Sequence, residues 1–157
     1  MNLYLVQHGH AVDKERDPQR PLSEQGRRET QAMAGALRPL ALRLPEVWHS
    51  GKTRAVQTAE ILAEAVAAGG ELVKRDDIFP RDEVESAGDD VEQREGDVMV
   101  VGHLPFLGRL ASWLLAGDED AGVIRFRYSG VLCLYRNPNG LWQVTWFITP
   151  DLLKGML

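Results

Sequence analysis

Asn2-Leu3-Tyr4-Leu5-Val6-Gln7-His8-Gly9-His10 is the stretch on which the reading of this chain turns. Asn2–Val6 is a short apolar run with Tyr and Val, bounded by Gly9, and predicts a β-strand buried on both faces. His8 then stands at the C-terminal end of that strand. Ligands of open α/β sheets gather at this edge, so a titratable side chain emerging there is a candidate functional residue. A second run of the same character, Asp97–Gly102, is the best candidate for a central strand and delivers His103 to its own C-terminal end.

The segments around these two strands complete the pattern. Asp13–Pro21 is charged, carries two prolines and reads as a loop over the strand edge. Ser23 caps a helix from about Glu24 to Leu37, whose apolar face is Ala32, Met33, Ala36 and Leu37. Pro39 and Pro45 bracket a connection that ends in a strand at Glu46–Ser50. A helix follows from about Thr53 to Ala67, apolar at Ala55, Ala59, Leu62 and Val66 and stopped by Gly69-Gly70, with Arg54 in its first turn. Glu71–Lys74 reads as a short strand, and the acidic stretch Asp76–Asp97 as a mobile lobe with one short helix. Pro105 at the first helical position opens a helix through Leu115 that Gly117 stops. Val123–Tyr128, Val131–Arg136 and Leu141–Ile148 are three strand-like runs, the last two joined as a hairpin through Asn137-Pro138-Asn139-Gly140.

Composition limits the function classes. A chain of 157 residues, 44% hydrophobic and 26% charged, reads as one globular domain over residues 1–157. Eighteen Lys and Arg against 23 Asp and Glu leave a net charge of −5, which argues against a strongly basic nucleic-acid binder or a polybasic membrane-surface protein. A local cationic pocket remains compatible with that balance. The single cysteine, Cys133, lies in an apolar run and reads as a small buried hydrophobe, so no disulfide framework or Cys-based zinc site is available. Apolar runs such as Leu3–Val6, Ile61–Val66 and Val98–Val101 fall far below the roughly 20 residues of a membrane span. The expectation is a soluble, cytoplasmic protein without nucleic-acid or membrane partners. Trp113, Trp142 and Trp146 read as core or half-buried residues, and Asp118-Glu119-Asp120 as a solvated turn.

Leu5-Val-Gln-His-Gly9, Arg20-Pro-Leu-Ser23 with Gly26, Ser50-Gly-Lys-Thr-Arg-Ala-Val-Gln-Thr-Ala59 and Val101-Gly-His-Leu-Pro105 resemble, in order and spacing, the histidine phosphatase superfamily. The resemblance runs over nearly the whole chain and is strongest to the small SixA-like phosphohistidine phosphatases. It implies a three-layer α/β/α sandwich around a mainly parallel central sheet, of the phosphoglycerate mutase-like type. It also implies a metal-independent enzyme without cofactors, in which His8 is the nucleophile and Arg20, Arg54 and His103 hold the phosphoryl group. The implied substrate is a phosphohistidine-bearing signalling protein.

The residue chemistry is consistent with those roles. A neutral imidazole is a competent nucleophile, and cationic donors on the equatorial oxygens supply most of the catalysis of phosphoryl transfer. Arg54 near a helix N-terminus gains from the backbone N–H groups there. Gln7 departs from the family's Arg-His-Gly, and the resemblance implies that it is a phosphate-binding residue making a weaker, neutral contact in the same pocket, without the charge or fork of a guanidinium. Lys52 is a nearby cation that faces either the pocket or water. Asp82, Glu83 and Glu85 are the available carboxylates for a general acid, none in a pattern that assigns it. Gln7 motivates a second reading, a phosphate- or phosphohistidine-binding regulatory protein with weak or no turnover. A third, from His8-Gly-His10 together with His103, is a metal-dependent hydrolase.

Overall fold

Alternation of side chains along the strands sets the layers of the molecule, a computed structural model that describes residues 1–154. Strands β1 (Asn2–Gln7), β2 (Arg43–His49), β3 (Ala68–Lys74), β4 (Val98–Gly102), β5 (Val131–Arg136) and β6 (Trp142–Ile148) form one six-stranded sheet in the order β3-β2-β4-β1-β5-β6. β1 with β4, β4 with β2 and β2 with β3 pair parallel, and β5 and β6 extend the sheet antiparallel. Leu3, Leu5, Trp48, Val98 and Val100 point to one face, and Tyr4, Val6, Val47, Met99 and Val101 to the other.

Helices cover both faces. α1 (Glu24–Leu37) and α2 (Thr53–Ala63) seal the second face with Met33, Leu37, Ala55, Ala59 and Leu62. α3 (Glu85–Gln93) and α4 (Phe106–Ala116) seal the first with Ala87, Val91, Phe106, Leu107 and Leu110. The short α5 (Pro150–Leu153) adds Leu153 to the α1 side. Burying one such Val, Leu or Phe side chain contributes about 1.5–3 kcal/mol, and these clusters clamp the ends of β1 and β4 in register. The result is the expected α/β/α sandwich with a mainly parallel sheet, β4 and β1 at its centre. No described helix is long and apolar enough to cross a membrane.

Several element boundaries follow the sequence closely. α1 begins where predicted, with the Ser23 hydroxyl accepting the Gly26 N–H at 3.0 Å. α4 ends on Gly117 in the left-handed conformation, φ +69°. Pro105 itself is the N-cap of α4 and not its first helical residue. Cys133 is buried, 2% exposed, as expected of a small hydrophobe.

Other expectations are corrected. α2 stops at Ala63, and Gly69-Gly70 open β3 at φ +83° and +79° where a helix stop was predicted. A Cβ on Gly69 would lie 1.9 Å from the Leu44 carbonyl oxygen, so glycine is needed for β3 to start hard against β2. β2 likewise begins at Arg43, before Pro45, which takes no part in either pairing register. Val123–Tyr128 is no strand: both edges of β1 are taken by β4 and β5, and only Tyr128 bridges to Gln7.

The stretch Asp76–Asp97 is packed down, where a mobile lobe was predicted. Ile78, Val84, Ala87 and Val91 are fully buried. The Arg75 guanidinium lies 4.0 Å over the ring of the buried Trp48 while pairing with Asp77 at 2.6 Å and Asp90 at 2.5 Å. Arg94 adds a second cation beside the same ring and pairs with Glu46 at 3.2 Å.

Candidate active site

β1, β2 and β4 run parallel, so their C-terminal ends deliver His8, Ser50 and His103 to one edge of the sheet. The His8 N–H continues the ladder by donating to the Gly102 carbonyl at 3.0 Å. The imidazoles of His8 and His103 lie 5.1 Å apart, centroid to centroid, and are 7% and 1% exposed. Arg54 arrives from the first turn of α2, and Arg20 from the loop that crosses the edge. The convergence of both histidines and both arginines follows from these positions.

His8 is held in one tautomer. Its Nδ1–H donates to the Gly9 carbonyl at 2.7 Å, which leaves the Nε2 lone pair free. Gly9 is in turn fixed: its N–H donates to Thr58 Oγ1 at 2.9 Å, and that hydroxyl donates to the Arg54 carbonyl at 2.8 Å. The strand end carrying the nucleophile candidate is thereby tied to the helix turn carrying the clamp candidate. A side chain at Gly9 would collide with Leu22, Thr30 and Ser129.

His103 is oriented by Ser50. The Ser50 hydroxyl accepts the Lys52 N–H at 3.3 Å and lies 2.6 Å from His103 Nε2, an arrangement satisfied when the hydroxyl donates to Nε2. The imidazole proton then sits on Nδ1, a buried atom without a partner among the described residues. Arg54 Nε is likewise buried and unpaired. Buried donors left unmatched are costly, and two of them at one sheet edge mark a place prepared for an acceptor. Arg20, at φ +47°, is held by its Nε–H on the Val12 carbonyl at 3.2 Å.

The electrostatics are uniformly cationic. Burial, together with Arg54 and Arg20, pushes His8 down to about 4 despite the Gly9 carbonyl. Burial, His8, Arg54, Lys52 and Arg20 push His103 down to about 3. Both are therefore neutral at pH 7, as a nucleophile must be. Raising the anion content of the pocket reverses the Coulombic part of these shifts. In an NMR titration both imidazoles should stay silent from pH 8 to 5, and added orthovanadate should raise both pKa values. Unfolded histidines take up a proton near 6.5, so stability should fall as pH drops from about 6.5 towards 4, which denaturant midpoints at pH 7.5 and pH 5 would register.

Other candidates stand elsewhere. Asp82 accepts the Phe79 N–H at 2.8 Å, Glu83 pairs with Arg109 at 3.3 Å, and Glu85 is exposed at the start of α3. No carboxylate is among the main charges acting on His8 or His103. His10 faces Ser23 Oγ at 2.7 Å through Nδ1 and stands edge-on to Tyr128 at 5.5 Å. Among the described residues no three His, Cys, Asp or Glu side chains are grouped to hold a metal, so the His8, His10 and His103 trio is not assembled as a ligand set. The Gln7 side chain is 8% exposed and makes no hydrogen bond among the described residues. Lys52 reaches over the Phe79 ring, its Nζ 5.6 Å from the centroid.

Three residues gain roles that only the fold makes visible. Ser50 and Thr58 lie inside the Ser50–Ala59 motif, but their hydroxyls matter through contacts with His103 and Gly9. Tyr128 stands 5.7 Å from the His8 ring and is 43% exposed, which makes it a wall of the site.

Known proteins share this arrangement of chain. The sequence profile of the Histidine phosphatase superfamily (branch 1) matches residues 3–78. An uncharacterized protein of Picosynechococcus sp. is 31% identical over 92% of this chain and 96% of its own length. The phosphohistidine phosphatase SixA of Escherichia coli (strain K12) is 27% identical over 98% of this chain and 97% of its own. The solved structure of the protein histidine phosphatase SixA complexed with tungstate superposes with a TM-score of 0.85 at 24% identity, covering 98% of this chain and 99% of that one. Profile, relatives and fold agree with the two histidines and two arginines at the sheet edge: the chain belongs to the histidine phosphatase superfamily.

Proposed function

We propose that the protein is a phosphatase that hydrolyses phosphohistidine on an intracellular signalling protein, through a covalent phosphohistidine on His8. The observation that carries the reading is the neutral His8, with Nδ1 committed to Gly9 and Nε2 free, beside two buried donors on Arg54 and His103 that lack an acceptor. SixA, the structural relative at TM-score 0.85, was solved in complex with tungstate, a tetrahedral oxyanion, and this supports an oxyanion ligand for the present chain.

In the first half-reaction His8 Nε2 forms a bond to phosphorus, and the bond from phosphorus to the substrate nitrogen breaks. The electron pair returns to the substrate ring, which leaves as neutral imidazole when its other nitrogen is protonated. In the second half water attacks phosphorus, the bond to His8 Nε2 breaks, and the water's protons pass to the phosphate product and solvent. Arg20, Arg54 and His103 hold the oxygens in both halves, and charge on those oxygens is where preorganised donors act most strongly.

Asp82 and Glu83 are bound to Phe79 and Arg109, and no carboxylate ranks among the main charges acting on His8, which favours a leaving group that needs no acid. An alkoxide leaving group needs a proton in the transition state, and a general acid supplies about 10²–10⁴ in rate. Phosphate release from a phosphohistidine-bearing protein should therefore exceed that from a phosphoserine peptide by about 10² or more. Equal rates would show that an acid is present and overturn the assignment of substrate.

A further inference from the structure

Between α4 and β5 the chain runs without helix or strand and meets the C-terminal end of β1 at Tyr128. Phe126 turns into the core, 7% exposed and 6.2 Å from Phe147 between ring centroids, and Ile124 packs beside it. Alternation then leaves Arg125 and Arg127 exposed on the opposite side. The segment is locked at its end by the bridge from Tyr128 to Gln7 and by the Ser129 N–H, which donates to the Gln7 carbonyl at 2.9 Å.

The consequence is a cavity of about 260 Å³ lined by Gln7, Leu104, Arg125, Phe126, Arg127 and Tyr128. Gln7 precedes His8, Leu104 follows His103, and Tyr128 stands against the His8 ring, so this cavity adjoins the phosphoryl pocket. Neither Arg125 nor the Gln7 amide has a hydrogen-bond partner among the described residues, and Arg125 lies in no ion pair there. Arg127 is shared with a second cavity that holds Glu29 and Asp151. In a chain of net charge −5, two exposed guanidiniums beside a phosphate pocket are a local inversion of sign. The largest charges acting on His8 and His103 come from Arg20, Arg54, Lys52 and the histidines, not from this pair. They are therefore placed for a group next to the phosphoryl and not for the phosphoryl itself. A guanidinium at position 7 would meet them as like charge, whereas the neutral amide of Gln7 adds a donor without repulsion.

We propose that this cavity is a second anion-binding subsite, which takes a carboxylate of the substrate protein from the residues flanking the phosphorylated histidine. The proposal rests on the phosphohistidine reading and specifies its substrate as acidic around the modified residue. Guanidinium and carboxylate form forked, charge-assisted hydrogen bonds, and at this exposed site the attraction weakens with salt.

The test uses two phosphohistidine peptides that differ only in Asp or Lys at the flanking positions. Binding is measured on a His8→Ala background, so that it does not depend on turnover, and aryl phosphate hydrolysis is measured with His8 in place. The Asp peptide should bind about tenfold more tightly than the Lys peptide at low salt, with the preference shrinking towards 0.5 M salt. Arg125→Glu with Arg127→Glu should reverse the order, Arg125→Lys with Arg127→Lys should keep it, and aryl phosphate turnover should stay within about twofold. Equal affinity for both peptides, or a preference that survives the charge reversal, would overturn the subsite. So would loss of aryl phosphate turnover in the reversed variant, which would place the arginines in the phosphoryl pocket. A charge-dependent preference in a protein that hydrolyses neither peptide would support the subsite and remove the phosphatase reading.

Discussion

His8→Ala should abolish turnover, lowering kcat/KM by roughly 10⁴–10⁶ on every substrate, because a methyl group cannot accept the phosphoryl. The loss belongs to chemistry and not to folding. His8 lies at the end of β1, where its backbone N–H keeps the bond to Gly102 after the side chain is removed. Its Nδ1–H bond reaches only the adjacent Gly9 carbonyl, so no long-range hydrogen bond goes with it. The thermal midpoint should therefore move by a few degrees at most while steady-state phosphate release disappears. Residual turnover above about 1% of wild type would mean that another group accepts the phosphoryl or that water attacks directly.

Gln7→Arg should raise kcat/KM by about 10², the value of one oxyanion donor with charge. Gln7 ends β1 next to His8, is 8% exposed and leaves its amide unpaired, so a guanidinium there lies beside the phosphoryl pocket, and its gain on the phosphoryl oxygens outweighs the like charge of Arg125 and Arg127. The added cation sits near Arg20 and Arg54, which lowers the His8 pKa further and leaves that ring neutral at pH 7. Wild-type activity that is silent until this substitution would favour the binding-protein reading, in which the pocket holds phosphohistidine without efficient release. Substantial wild-type turnover with a gain of less than about threefold would show that a neutral donor suffices at this position.

How much of this was legible before folding depends on the kind of signal. His8 and His103 could be placed because two continuous apolar runs, Asn2–Val6 and Asp97–Gly102, announce buried strands, and a residue just past such a run lies at a sheet edge. Arg54 followed from its place in a helix's first turn. Ser50 and Thr58 could not be given roles, since a hydroxyl's partner 49 or 53 positions away in sequence is a fact of packing and not of local pattern.

The misreadings have equally specific causes. Gly69-Gly70 follows a helix-periodic run and so looks like a stop, yet its positive φ values serve the close approach of β3 to Leu44. Ile124 and Phe126 alternate with Arg125 and Arg127 as a half-buried strand would, but no free edge of β1 remains to pair with them. In the acidic stretch after Arg75, the buried Ile78, Val84, Ala87 and Val91 are scattered among charges, and the anchor that seats them is a cation stacked on Trp48. Charge density suggested mobility where ion pairs and an aromatic face produce a packed cover.

The central claim is the covalent step, and trapping the intermediate tests it most directly. Mixing the protein with a ³²P-labelled phosphohistidine substrate and quenching in alkaline detergent within milliseconds should leave label on the chain as acid-labile, alkali-stable phosphohistidine, mapped to His8 and absent in His8→Ala. Full turnover with no label on His8 at any quench time, or label on another residue, would contradict the account.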